Sequence, residues 1–136
     1  MFHEEIWLYV STCRIWGRFR VWLRSMDTEP YNSFGNGSAM RVSPCVWVMD
    51  CGFCARTGIW PSRELARISA SVTHNHLEGI KGALAVCDAI FMARFYSDEC
   101  KKIKEHIENE YDYDLSMSLG EIRKNYKFDE TCQGSV

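Results

Sequence analysis

The stretch Leu77–Arg94, LEGIKGALAVCDAIFMAR, decides the fold class. Ile80, Ala83, Leu84, Cys87, Ile90 and Phe91 recur at three- and four-residue spacings, the period of one helix face. Gly79, Gly82, Ala83 and Ala85 are small, so another helix or a ligand can come close to this one. Before it, Pro61 and Ser62 open a helix with Leu65, Ile68 and Val72 on one face. After it, Ser97 is the predicted N-cap of a helix that turns Cys100, Ile103 and Ile107 inward and Lys101, Lys102, Lys104 and Glu105 outward. Ser118 and Glu121 form the S-x-x-E pattern of a capping box for a short further helix. Residues 1–25 read as one or two helical pieces: Ile6, Tyr9, Val10 and Cys13 share a face, Gly17 interrupts, and Phe19, Trp22 and Leu23 resume. Residues 45–60 follow neither the helical nor the strand period. No strand pattern of useful length occurs, and the predicted class is all-α.

The chain has 136 residues, enough for one domain or a piece of a larger one, and 46% of them are apolar, which suffices for a core. A net charge of −2 gives no electrostatic case for nucleic acid or an anionic membrane. No apolar run is long enough to span a bilayer. Glu4 and Glu5, with no basic segment before them, do not read as a secretory signal. Seven cysteines, an odd number, then read as reduced thiols in a cytoplasm. Trp7, Trp16 and Trp22 crowd the first segment, and so much aromatic surface requires a partner.

Residues 27–44 change character. Asp27, Pro30, Asn32, Ser33, Gly35, Asn36, Gly37 and Ser38 are turn formers, and Ala39–Val42 follow before Pro44 breaks the run. Gly35 and Gly37 flank Asn36, and both residue types tolerate positive φ. Successive amides in such a turn can form an anion-binding concavity. A helical run from Ser38 to Val42 would add its dipole, and Phe34 offers a flat face to a base. The plainer reading is a surface turn with a buried Phe. The second constellation is Thr73-His74-Asn75-His76 between two helices. His74 can meet a phosphate, a ribose hydroxyl or a metal; the plainer reading is a junction capped by Thr73 or Asn75. Cys51-Gly52-Phe53-Cys54 would make a zinc site only with His74 and His76 or with Cys45, and core thiols account for it more simply. Asp112 and Asp114, among tyrosines and with no third carboxylate, read as a solvated turn.

Tyr31–Pro44 (YNSFGNGSAMRVSP) and Val72–Ala83 (VTHNHLEGIKGA) together resemble the ADP-ribosylglycohydrolases, and Tyr126–Val136 (YKFDETCQGSV) resembles a further stretch of bacterial members. The resemblance covers residues 17–136; residues 1–16 form a helical segment outside it. It implies the central part of an orthogonal multi-helix globule, all-α and incomplete here. It implies an enzyme that hydrolyses the glycosidic bond between ADP-ribose and a protein side chain. It assigns ADP-ribose contacts to Ser33, Phe34, Gly35, Asn36, Gly37 and His74, with Phe34 against the adenine and His74 near the phosphate–ribose part. It implies ADP-ribose or an ADP-ribosylated protein as partner.

The resemblance also implies two Mg²⁺ ions, held by a Thr-Asp-Asp run and an Asp-x-Asp-Thr run. Neither run occurs in this sequence, and Asp112-Tyr113-Asp114-Leu115 lacks the threonine and the glycine-rich setting. The expectation is therefore an internal fragment, a truncated product or a domain awaiting a complementing chain, with little or no catalysis by itself. Apolar faces at the Trp-rich start and on the 77–94 helix would then favour association. The rival expectations are a non-catalytic ADP-ribose or nucleotide binder, a helical interaction protein and a Cys/His metal domain.

Overall fold

The computed structural model describes residues 17–25, 28–49, 52, 56–96, 100–127 and 129–135. Eight helices are defined among the described residues: α1 (Gly17–Ser25), α2 (Gly37–Met40), α3 (Ser43–Trp47), α4 (Trp60–Ser71), α5 (Leu77–Phe95), α6 (Cys100–Tyr111), α7 (Leu119–Asn125) and α8 (Cys132–Ser135). The described residues form no strand, only an isolated antiparallel bridge between Gly35 and Thr131. The fold is all-α. None of these helices is long and apolar enough to cross a membrane. The helical segment expected over residues 1–16, Ser97, and the Cys51 and Cys54 pair lie outside the described residues.

The central element is α5, against which α2, α3, α4, α6 and α8 all pack. It is apolar around most of its circumference, as a helix buried on several sides must be. Ala83, Cys87 and Phe91 meet Val42, Cys45, Val46, Ala66 and Ala70 on one side, with Ile80, Leu84 and Ile90 packed alongside. Ala85 meets Ile107, Tyr111 and Tyr113 on another. Burying a side chain such as Phe91 contributes about 1.5–3 kcal/mol. Burial also pushes the Cys87 thiol up to about 12, so it behaves as a core hydrophobe.

The inward face of α4 differs from the expectation. Ser62, Ala66 and Ala70 are buried, whereas Ile68 and Val72 are more than half exposed. Small side chains let α4 approach α5, which already supplies the bulk at Phe91 and Leu84. Cys100 likewise proves exposed, while Ile107 is buried. Pro44 starts α3 rather than ending a helix. In a first turn its missing N–H has no helical partner to lose. The capping box of α7 forms as read: Ser118 Oγ accepts from the Glu121 amide, and the Glu121 carboxylate accepts from the Ser118 amide. Trp22 finds its partner in Tyr31, with ring centroids 5.9 Å apart, and its indole donates to the Glu29 carbonyl at 2.7 Å.

Asp88 is fully buried in the middle of α5. Arg63 of α4 binds it through both carboxylate oxygens. From α6, His106 Nε2 and the Tyr111 hydroxyl each lie 2.8 Å from its Oδ2. Burial alone would push this carboxyl up; hydrogen bonds from Arg63, His106 and Tyr111 outweigh it and hold it below the usual range. One carboxylate thereby ties three helices together. Truncating Asp88→Ala leaves the partly exposed Arg63 only the Glu110 carboxylate, 3.7 Å away, so the expected loss of stability is about 1.5–3 kcal/mol. Urea unfolding followed by tryptophan fluorescence reads it, and a loss under about 1 kcal/mol would show that the tie is dispensable.

Candidate functional site

Ser33, Phe34, Gly35, Asn36, Gly37 and His74 come together at the start of α5. The Ser33 amide donates to the Thr73 carbonyl at 3.3 Å, joining the loop to the α4–α5 junction. Gly79 makes the approach possible. A Cβ there would lie 2.6 Å from the Ser33 carbonyl oxygen and 2.9 Å from the His74 Cβ. Ser38 closes the far end of the loop, its hydroxyl donating to the Gly79 carbonyl at 2.7 Å.

The glycines of the loop serve proximity rather than unusual torsion. Neither Gly35, Asn36 nor Gly37 has positive φ; the left-handed residue is Asn32, at 53°. The anion-binding concavity expected of alternating left-handed residues is therefore not built. The Gly35 amide instead donates to Ser33 Oγ at 3.2 Å and the Asn36 amide to the Glu130 carbonyl at 2.8 Å. At Gly37, a Cβ would come within 3.1 Å of His74 Nε2. The loop backbone lies directly on the imidazole, so a side chain at Gly37 would crowd the ring.

His74 is 5% exposed. Its Nδ1 lies 2.7 Å from Thr73 Oγ1, which accepts from Arg41 Nη2 at 2.8 Å. The direction of the proton between Thr73 Oγ1 and Nδ1 follows the ring tautomer, and the other ring nitrogen, Nε2, faces Gly37. Arg41 also donates to the Ser69 carbonyl at 2.9 Å, engaging the last turn of α4, where a cation is favoured. Burial, and secondarily the Arg41 charge, lower His74 to about 4, so it is a neutral imidazole near pH 7. Tyr31 stands edge-on to its ring, 6.1 Å between centroids.

The junction is capped differently from the expectation. His76, not Thr73 or Asn75, is the N-cap of α5, its Nδ1 accepting from the Glu78 amide at 3.1 Å. Phe34 is 43% exposed and makes a T-shaped contact with His76, so the buried-Phe reading fails and part of the ring is open to solvent. Asn36 also lines an apolar cleft of about 540 Å³, together with Ala39, Met40, Ala85, Ile103 and Ile107. Phe34 and His74 do not line it.

A family model for ADP-ribosylglycohydrolase matches residues 7–131. The chain belongs to the ADP-ribosylglycohydrolase family. No curated protein and no solved structure matches it significantly.

The metal chemistry that the family resemblance implies does not fit the donors at hand. Among the described residues, no three His, Cys, Asp or Glu side chains converge to hold an ion. Asp88 is saturated by Arg63, His106 and Tyr111. Asp112 and Asp114 are exposed, and Asp114 accepts from the Ser116 amide, as a solvated turn requires. His74 Nδ1 and His76 Nδ1 both face hydrogen-bond partners.

Sequence reasoning missed Arg41, Asp88 and Cys132. Asp88 had a signal, a lone acid inside an apolar helix, and Arg41 lies within the family-like stretch. A pH test follows from His74. Its ordinary value is 6.5 and its folded value about 4, so unfolded chains bind the proton first. Its contribution to stability is full above pH 6.5 and lost progressively as pH falls toward 4. Melting curves across that window should fall less steeply for His74→Gln than for the native chain. Parallel curves would contradict a buried neutral His74.

Proposed function

We propose that this ADP-ribosylglycohydrolase-family chain recognises the ADP-ribose group of ADP-ribosylated proteins through Ser33–Gly37 and His74, in the service of glycosidic-bond hydrolysis. The observation that carries the reading is the placement of the loop on His74, with part of the Phe34 ring open to solvent. His74 would serve recognition through the loop it carries: its buried neutral imidazole lies directly beneath Gly37 and supports the backbone there. Phe34 supplies a stacking face for the adenine. The hydrolytic step is not assigned to these residues, since none of them is a carboxylate able to act as general base or metal ligand.

The free thiols of Cys45, Cys87, Cys100 and Cys132 support a reducing compartment, the cytoplasm. A second reading, an interaction protein that associates with a copy of itself or a complementing chain, is favoured by the exposure of Met40, Trp47, Trp60 and Leu77. Calorimetric titration with ADP-ribose separates the two. Saturable binding is expected, abolished in Asn36→Ala and weakened by about 1–3 kcal/mol in Phe34→Ala. No heat at millimolar ADP-ribose would overturn the recognition reading.

A further inference from the structure

The interior of the Ser33–Gly37 loop is held by a distant piece of chain. Between the Ser33 amide and the Ser38 hydroxyl, which anchor its ends, the long-range hydrogen bonds come from Glu130, Cys132 and Ser135, while His74 packs beneath. The Asn36 amide donates to the Glu130 carbonyl at 2.8 Å, and the Cys132 amide donates to the Phe34 carbonyl at 3.1 Å. The Cys132 thiol donates to the Gly35 carbonyl at 3.1 Å. Asn36 Nδ2 donates to Ser135 Oγ at 2.8 Å. Both nitrogens of Asn36 are thus engaged by the same segment, which fixes the plane of its side-chain amide.

That segment is itself a closed hook. Asp129 Oδ1 accepts from the Thr131 amide at 2.7 Å, an Asx turn. Thr131 Oγ1 accepts from the Gly134 amide at 3.0 Å, and the Ser135 hydroxyl donates back to the Asp129 carbonyl at 2.9 Å. At Gly134 a Cβ would collide with the Asp129 carboxylate, so the glycine is a condition of closure. Cys132 seats the hook on α5: it is wholly buried, and a Cβ on Gly82 would lie 2.6 Å from its Sγ. Burial pushes the Cys132 thiol up, so it keeps the proton that it donates to Gly35.

We propose that the Asp129–Ser135 hook is a positioning element for ligand recognition. It sets the Asn36 amide and the Phe34 backbone in their binding orientation, and Asp129 is the residue that keeps it closed. This rests on the reading of Ser33–Gly37 as the ADP-ribose loop. Asp129 is at the surface and outside the helices, so its replacement leaves the core intact.

The test compares Asp129→Ala, which opens the Asx turn, with Asp129→Asn, which keeps an Oδ1 acceptor. Amide hydrogen exchange is measured over residues 33–37, with Ala66–Ala70 of α4 as internal reference, and ADP-ribose is titrated into the same samples. In Asp129→Ala, loop exchange relative to α4 should rise about tenfold and ADP-ribose should bind about tenfold more weakly. Asp129→Asn should restore both. Unchanged loop exchange in Asp129→Ala overturns the proposal. So does equal acceleration of loop and α4, or a loosened loop that still binds ADP-ribose as the native chain does. If the native chain binds no ADP-ribose, the recognition reading fails on its own and the exchange data still decide whether the hook holds the loop.

Discussion

Closeness at the start of α5 is the constraint on which the site depends. A glycine inside a helix costs about 1 kcal/mol relative to alanine. Gly79 and Gly82 return that cost as access. The Ser33 carbonyl and His74 settle against Gly79, and the Cys132 side chain settles against Gly82. The same helix face therefore seats the loop, the α4–α5 junction and the Asp129–Ser135 hook, which come from sequence positions about a hundred residues apart. A Cβ at either glycine would meet backbone or a buried sulfur, not the free end of a flexible chain.

The middle of α5 works by a different force. Asp88 is a fully buried charge, and it is tolerated because Arg63, His106 and Tyr111 satisfy it from two other helices. The glycine seam brings surfaces together by removing atoms. The Asp88 centre orients helices through directional bonds. His74 takes the opposite course: it is buried without a counter-ion, beside Arg41, and so it stays neutral. One end of α5 thus offers a neutral imidazole beneath a backbone loop, while its middle carries the fixed charge that holds α4 and α6 in place.

What could be read from the sequence was mostly local or periodic. The 77–94 helix, its small residues and the Ser118–Glu121 capping box depend on neighbours a few positions away, and they formed as read. The gathering of Ser33–Gly37 with His74 was legible through family resemblance, not through spacing. Long-range choices were hidden. The spacing of Leu65, Ile68 and Val72 looked like a core face; Leu65 does pack on the core, but close packing on α5 selected Ser62, Ala66 and Ala70 over Ile68 and Val72. The glycines of the loop suggested positive φ, whereas the structure shows close packing instead, of Gly37 on the His74 imidazole and of Gly35 on the Glu130 carbonyl. Cys132 stood in a polar tail, and only the fold brings its thiol to the Gly35 carbonyl.

The central claim is that missing Cβ atoms on α5 assemble the site. Paired Gly→Ala substitutions test it most directly by the sign of the stability change. At Gly120 in α7, the nearest atom to a new Cβ is Ser118 Oγ at 3.9 Å. Gly120→Ala should stabilise by about 0.5–1 kcal/mol through lost unfolded-state freedom. Gly79→Ala carries the same propensity gain but drives a Cβ to 2.6 Å from the Ser33 carbonyl. It should destabilise by about 1–3 kcal/mol in chemical denaturation. A Gly79→Ala chain as stable as Gly120→Ala would contradict the account.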